Sequence, residues 1–274
     1  MKAYSRQRLA TMAIVTLTGV YCPAAIAEND DFSVLTDLGT SSFDRGVGKE
    51  VEGFSLSTNV DYATGKYGGS QTIYTLTIPL IGQYVNGPWT FKLAVPYIRI
   101  TDKGSAAHAA RTESGLDDVL TSATYTFYKS KGADPLVMNV AVLVKFGTAS
   151  YDKGLGTGEN DYAVQGATDK TVGKFTASVM AGYRVNGDPP GIHLDNTFYG
   201  SLSGSYAFTP QTSAGLVFYQ RQQSSITGGL HRKLTAFFSH TLAKNWKAQA
   251  YVIKGLANGS ADWHGGATVT YAFK

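Results

Sequence analysis

Of the 274 residues, one is cysteine, Cys22. It sits in the leading segment, so the rest of the chain can form neither a disulfide nor a thiolate metal site. Charge is scarce as well. Asp, Glu, Lys and Arg make up 16% of the chain, against about 25% in an ordinary soluble domain. The formal net charge of +4 includes Lys2, Arg6 and Arg8, and no acid precedes Glu28, which leaves +1 beyond the leader. That balance removes a general case for nucleic-acid binding. After the leader no run of about 18 apolar residues occurs, which excludes a spanning helix there. The five histidines, His108, His193, His231, His240 and His264, stand at no metal-ligand spacing. No metal and no cofactor is implied.

What the chain does have is glycine, 31 residues, and tyrosine, whose 17 residues outnumber the 13 phenylalanines and 3 tryptophans. Few charges with many Gly and Tyr suit a wall that faces lipid on one side and a wet lumen on the other. The first residues read as an export signal. Lys2, Arg6 and Arg8 form a positive stretch, Leu9 to Val20 an apolar one, and Ala25-Ile26-Ala27 a small-residue cleavage site. A membrane anchor is the rival reading of that stretch. Residues 1–27 are therefore expected to be removed. Residues 28–50 fit no strand pattern and read as a periplasmic lead-in or a piece folded into the lumen. Residues 51–274 are expected to form the barrel.

From Val51 onward, segments of about 10 residues alternate apolar with polar or small and then turn, the length a tilted strand needs to cross a bilayer. About twelve segments are readable. The sequence thus predicts an all-β fold, an antiparallel up-and-down transmembrane barrel, closed between its first and last strands so that no backbone group is left unpaired in lipid. Short turns at Asn86-Gly87-Pro88, Val172-Gly173-Lys174, Thr209-Pro210-Gln211 and Ala243-Lys244-Asn245 alternate with longer loops. Bacterial barrels keep the short turns periplasmic. Lys129 to Pro135 is long for the short-turn side. Aromatic residues gather at strand ends, as at the two interfaces of a membrane. A soluble sandwich or secreted barrel is the rival fold, but its outward face should be charged.

The inward phase is expected to be Ser, Thr and Gly with scattered charge. Its acids are Asp61, Asp118, Asp161 and Asp169; its bases are Lys92, Lys145, Arg184, Arg221, Lys233 and Lys247. On the lipid side each Lys or Arg at mid-membrane would cost about 2–4 kcal/mol, which points them inward. They are expected either to pair across the bore as a structural network or to form a constriction that filters by charge, with Lys92, Lys145 and Lys247 foremost. The run Gly154 to Gly158 has no helix after it to make a phosphate site and reads as a flexible surface loop.

Three stretches together carry a resemblance. They are Ser114-Gly115-Leu116-Asp117-Asp118, Gly154 to Tyr162, and Gly255 to Trp263 before a last strand ending Tyr271-Ala272-Phe273. Over roughly Phe54 to Phe273 the chain resembles the outer-membrane transporter family labelled "MetA-pathway of phenol degradation". The resemblance implies a barrel that passes aromatic or other small apolar compounds. The expected function is passive uptake of small molecules across a bacterial outer membrane. Expected partners are outer-membrane lipid, the permeant and the barrel insertion machinery, not nucleic acid. Two other classes stay open. One is a non-transporting structural or surface-binding barrel. The other is an outer-membrane lipid hydrolase, for which His240, outward on its strand, is the histidine to test.

Overall fold

Alternation with a period of two puts successive side chains on opposite faces of a strand, and the chain uses it throughout. The structure, a computed structural model, describes residues 52–67, 69, 71–104, 109–225 and 228–273. The leader, the segment 28–50 and His108 lie outside the described residues. Thirteen strands occur among the described residues: β1 Gly53–Gly65, β2 Ile73–Asn86, β3 Trp89–Asp102, β4 Arg111–Leu116, β5 Val119–Lys129, β6 Leu136–Phe146, β7 Asp161–Val172, β8 Phe175–Val185, β9 Thr197–Thr209, β10 Thr212–Arg221, β11 His231–Ala243, β12 Trp246–Gly255 and β13 Trp263–Ala272. Every pairing is antiparallel between neighbours, and β1 closes on β13 from Ser55↔Ala272 to Thr64↔Trp263. The wall is a closed ring of twelve positions with one extra strand, because β3 pairs with β5 along its first half and with β4 along its second.

The expected faces hold on the strands that the alternation marks. On β6, Val140, Val142 and Phe146 are exposed, while Asn139, Ala141, Leu143 and Lys145 are buried. On β9, Phe198, Leu202, Tyr206 and Phe208 face out, and Thr197, Tyr199 and Ser205 are buried. An outer face so rich in exposed Leu, Val, Phe, Tyr and Trp is at home only in lipid. Short turns, residues 87–88, 173–174, 210–211 and 244–245, gather at one end, and Gly87 and Gly173 supply the left-handed φ (56° and 58°) such turns need. The long connection 130–135 belongs to this end too. Asp134 makes it a structured turn: its Oδ1 accepts from Gly173 N (2.7 Å) and its carbonyl from Lys170 Nζ (2.8 Å).

Two features depart from the expected pattern. Most of β4, residues 111–114, lies in one of the stretches expected to be longer loops. Residues Arg111 to Ser114 lack apolar alternation, because this short strand pairs with β3 only along its loop end. Between β4 and β5 the register against β3 slips by one residue, at Asp117 and Asp118. The bulge turns both of these neighbouring acids inward, where both are buried. Pro96 sits opposite the bulge and Pro79 is its register partner on β2. Proline has no N–H to give, and a wall tolerates it where a ladder bond is already missing. The ladder between β1 and β2 skips the same level, between Thr58↔Leu80 and Asp61↔Thr77.

Candidate lumen and its charged tiers

All ten charged residues expected on the inner face are on it, and nine are buried; Lys247 is half-buried. They sort by height. Lys92, Asp169 and Lys247 lie toward the short-turn end of β3, β7 and β12. Asp118, Lys145, Asp161, Arg184, Arg221 and Lys233 lie toward the loop end of their strands, and Asp61 a little below them. Expected partners across the bore turn out to be neighbours along the wall. Lys145 and Asp161 are register partners on β6 and β7. Lys145 Nζ is 3.0 Å from Asp161 Oδ2 and 3.1 Å from Asp118 Oδ2, and donates to Thr157 Oγ1 at 2.8 Å. Arg184 on β8 pairs with the same Asp161 oxygen. Fully enclosed, Lys145 is held by groups that satisfy it, as a buried charge requires. The network therefore spans four adjacent wall positions. Lower down, Asp169 Oδ1 accepts from Ser178 Oγ at 2.5 Å.

The same network anchors the loops. Asp118 Oδ1 accepts from Ala149 N (2.9 Å) and Asp161 Oδ1 from Gly187 N (2.8 Å). The loop between β6 and β7 is not the flexible surface loop its glycines suggest. It folds inward, with Leu155, Gly156 and Thr157 buried and Leu155 packed with Ile98 and Ala149. Gly156 has to be glycine there, since a methyl carbon would lie 2.6 Å from Ala149 Cβ and 2.9 Å from Asp118 Oδ2. In the loop between β8 and β9, outside the wall, His193 Nδ1 meets Asp188 Oδ2 at 2.8 Å. Leu194 N, ahead of His193, holds the Asp188 carboxyl below its ordinary value, and Asp188 in turn raises His193.

The inner face also carries apolar groups beyond the Ser, Thr, Gly and charge expected of it. Ile81, Ala94, Leu120, Ala141, Leu143, Ala163, Tyr199 and Tyr219 form one apolar cluster, with Met180 against it. Val217, Phe237, Tyr251 and Ile253 form a second. Together they line the inner wall from β2 round to β12. The polar seam lies at β1 and β13. There Tyr251 Oη donates to Asp61 Oδ2 (2.6 Å) and accepts from Asn59 Nδ2 (2.9 Å), and His264 Nδ1 is 3.8 Å from Asp61 Oδ1. Each apolar member shares the parity of polar residues already expected inside, Leu143 with Lys145 for example, so that phase was the available signal.

A twelve-position barrel with a mixed inner wall suits the family to which the sequence comparison leads. The description "Putative MetA-pathway of phenol degradation" matches residues 40–273. The chain belongs to this family. Among solved structures it is similar to the COG4313 outer membrane channel from Pseudomonas putida F1, at 15% identity over 86% of this chain and 100% of that one, with a TM-score of 0.72. Similarity also extends to the KdgM porin in complex with disordered oligogalacturonate (10% identity, 80% and 99% covered, TM-score 0.48). A third is the CymD monoaromatic hydrocarbon channel (10%, 81% and 89%, 0.45). No curated protein matches the chain in sequence. The shared feature with the first is the fold.

Within this family member, the glycine-rich segment before β13 is explained by close backbone approach. A methyl carbon on Gly259 would lie 2.4 Å from the Gly229 carbonyl oxygen, and one on Gly255 2.0 Å from that of Ala261. Ser260 Oγ, buried there, accepts from Arg232 N at 2.9 Å. His240, the outward histidine on which a hydrolase would turn, has Thr212 Oγ1 at 2.8 Å from its Nδ1, its own register partner on β10.

Proposed function

We propose that this chain is an outer-membrane channel, reached after export and cleavage behind Ala27, through which small molecules diffuse passively, aromatic and other apolar compounds among them. The observation that carries the reading is the inner wall. An apolar lining runs round most of it, between a charged tier at each end. Such a lining lets an apolar or amphipathic solute leave water by steps, while the tiers select at the two mouths. Family membership and the fold shared with an outer membrane channel support it. No catalytic role is proposed.

The ten charges divide in this reading. Asp118, Lys145, Asp161 and Arg184 frame the wall and hold the loops. Lys247, the half-buried one, meets the permeant at the short-turn end, with Lys92 on the same tier, and Arg221, Lys233, Asp61 and Asp169 are buried in the tiers. The test is single-channel conductance of the protein purified from outer membranes, in a planar bilayer, with ion preference read from the reversal potential. Discrete steps are expected, and Lys92→Gln with Lys247→Gln should move the preference toward cations. Verified insertion with neither conductance nor solute uptake would sink the proposal.

The second reading is a non-transporting barrel whose loops meet a partner. The observation favouring it is the inward-folded β6–β7 loop, which occupies one side of the loop-end mouth. A silent, inserted barrel is its expected outcome.

A further inference from the structure

An aromatic side chain on the inner face of a narrow barrel has two places to go. It can project across the bore, or it can lie along the wall. Lying along the wall needs a neighbouring strand position with no side chain. Among the described residues, three of the four buried inward aromatics have one, and in each case it is their direct register partner. Tyr199 on β9 faces Gly182 on β8, Phe237 on β11 faces Gly215 on β10, and Tyr251 on β12 faces Gly266 on β13.

The contacts are close enough to show that each ring covers its glycine. A methyl carbon on Gly182 would lie 2.4 Å from Tyr199 Cζ and 2.6 Å from its Oη; one on Gly215, 2.7 Å from Phe237 Cε1 and Cζ; one on Gly266, 2.2 Å from Tyr251 Oη and 2.5 Å from its Cζ. The two hydroxyls extend the same course to a third strand. Tyr199 Oη donates to Gln165 Oε1 on β7 at 3.0 Å, and Gln165 is the register partner of Gly182. Tyr251 Oη reaches Asp61 on β1, which is the register partner of Gly266. Each tyrosine thus lies tangentially across three strands, with its polar tip fastened to the wall. None of the three glycines has a left-handed φ, so space, not backbone freedom, is what they supply. The fourth aromatic, Tyr219, faces Ser201 and Lys233 instead.

We infer that Gly182, Gly215 and Gly266 are positioning residues that set the width of the permeation path, by letting Tyr199, Phe237 and Tyr251 lie flat along the wall instead of projecting across it. This inference rests on the channel reading. If that reading fails, the wild-type protein is silent; the variants below are read only against a conducting wild type, so the two failures are distinct.

Gly182→Ala is the clean variant, because the three atoms nearest its methyl all belong to the Tyr199 side chain, whereas at Gly215 and Gly266 the backbone carbonyls of Gly204 and Val60 also lie within 2.6 Å. Gly204→Ala is the control. It lies on the neighbouring strand β9, on the lipid face, where the exposed ring of Phe175 rests 3.1 Å from the position of the added methyl. Folding is checked by the heat-dependent gel mobility of the closed barrel. Gly182→Ala is expected to lower single-channel conductance at least about twofold as the ring swings into a narrow bore. Gly182→Ala with Tyr199→Ala should restore it, and Gly204→Ala should leave it unchanged. Unchanged conductance in folded Gly182→Ala, or an equal loss in Gly204→Ala, would overturn the inference. If Gly182→Ala does not fold, Tyr199→Ala alone decides: a flat ring predicts little change, and a severalfold gain would mean the ring already obstructs the bore.

Discussion

Lys145 is the residue on which most of the loop-end wall depends. It is fully enclosed and faces Asp118 and Asp161 at 3.1 and 3.0 Å. A charge in that position is tolerable only while its partners remain, and removing one partner of a buried pair costs about 3–5 kcal/mol. Lys145→Met should therefore lower stability by about that amount, measured as urea unfolding of the lipid-inserted protein by tryptophan fluorescence. Adding Asp118→Asn should recover part of the loss. A change confined to conductance, with stability intact, would instead assign Lys145 to the filter. Residue type and parity made Lys145 legible as an inward charge. Its partners were not legible, because they depend on register, and a strand's hydrophobic pattern leaves open which residue of the next strand stands opposite.

At the scale of elements, the loop between β6 and β7 shows how composition misleads. Glycine-rich and flanked by polar residues, residues 154–158 read as mobile surface. In the fold Leu155 is buried on Ile98 and Ala149, and Thr157 bonds Lys145. Glycine serves there for close approach, which looks the same in sequence as freedom. Leu155→Asp would bury a carboxylate near Asp118 and should release the loop. Trypsin cleavage at exposed Lys153 is expected to rise at least about tenfold, in proportion to the open population. Cleavage at the wild-type rate would mean that the hydrogen bonds alone hold the loop. β4 escaped notice for the opposite reason: Arg111, Thr112, Glu113 and Ser114 pair with β3 at the loop end, where lipid imposes no apolar face.

For the whole molecule, the outer face makes the strongest statement. Val142, central on β6 and 55% exposed, belongs to a belt that only a bilayer can solvate. Val142→Arg should cost about 2–4 kcal/mol of insertion free energy near the midplane, measured by refolding into vesicles across a denaturant series. Ser203→Arg, on the inner face, should cost much less. Equal costs for the two would contradict a lipid-facing wall.

Sequence by itself determined the faces and the architecture. A period of two, a missing spanning helix and short turns alternating with long loops leave few choices once every backbone group must be paired in lipid. Only the tertiary structure decided what meets what. Twelve wall positions in one register place Tyr199 on Gly182, Lys145 beside Asp161 and Pro79 beside Pro96. The physical reason is that alternation is a local property of one strand, whereas register is set jointly by all the strands that close the ring.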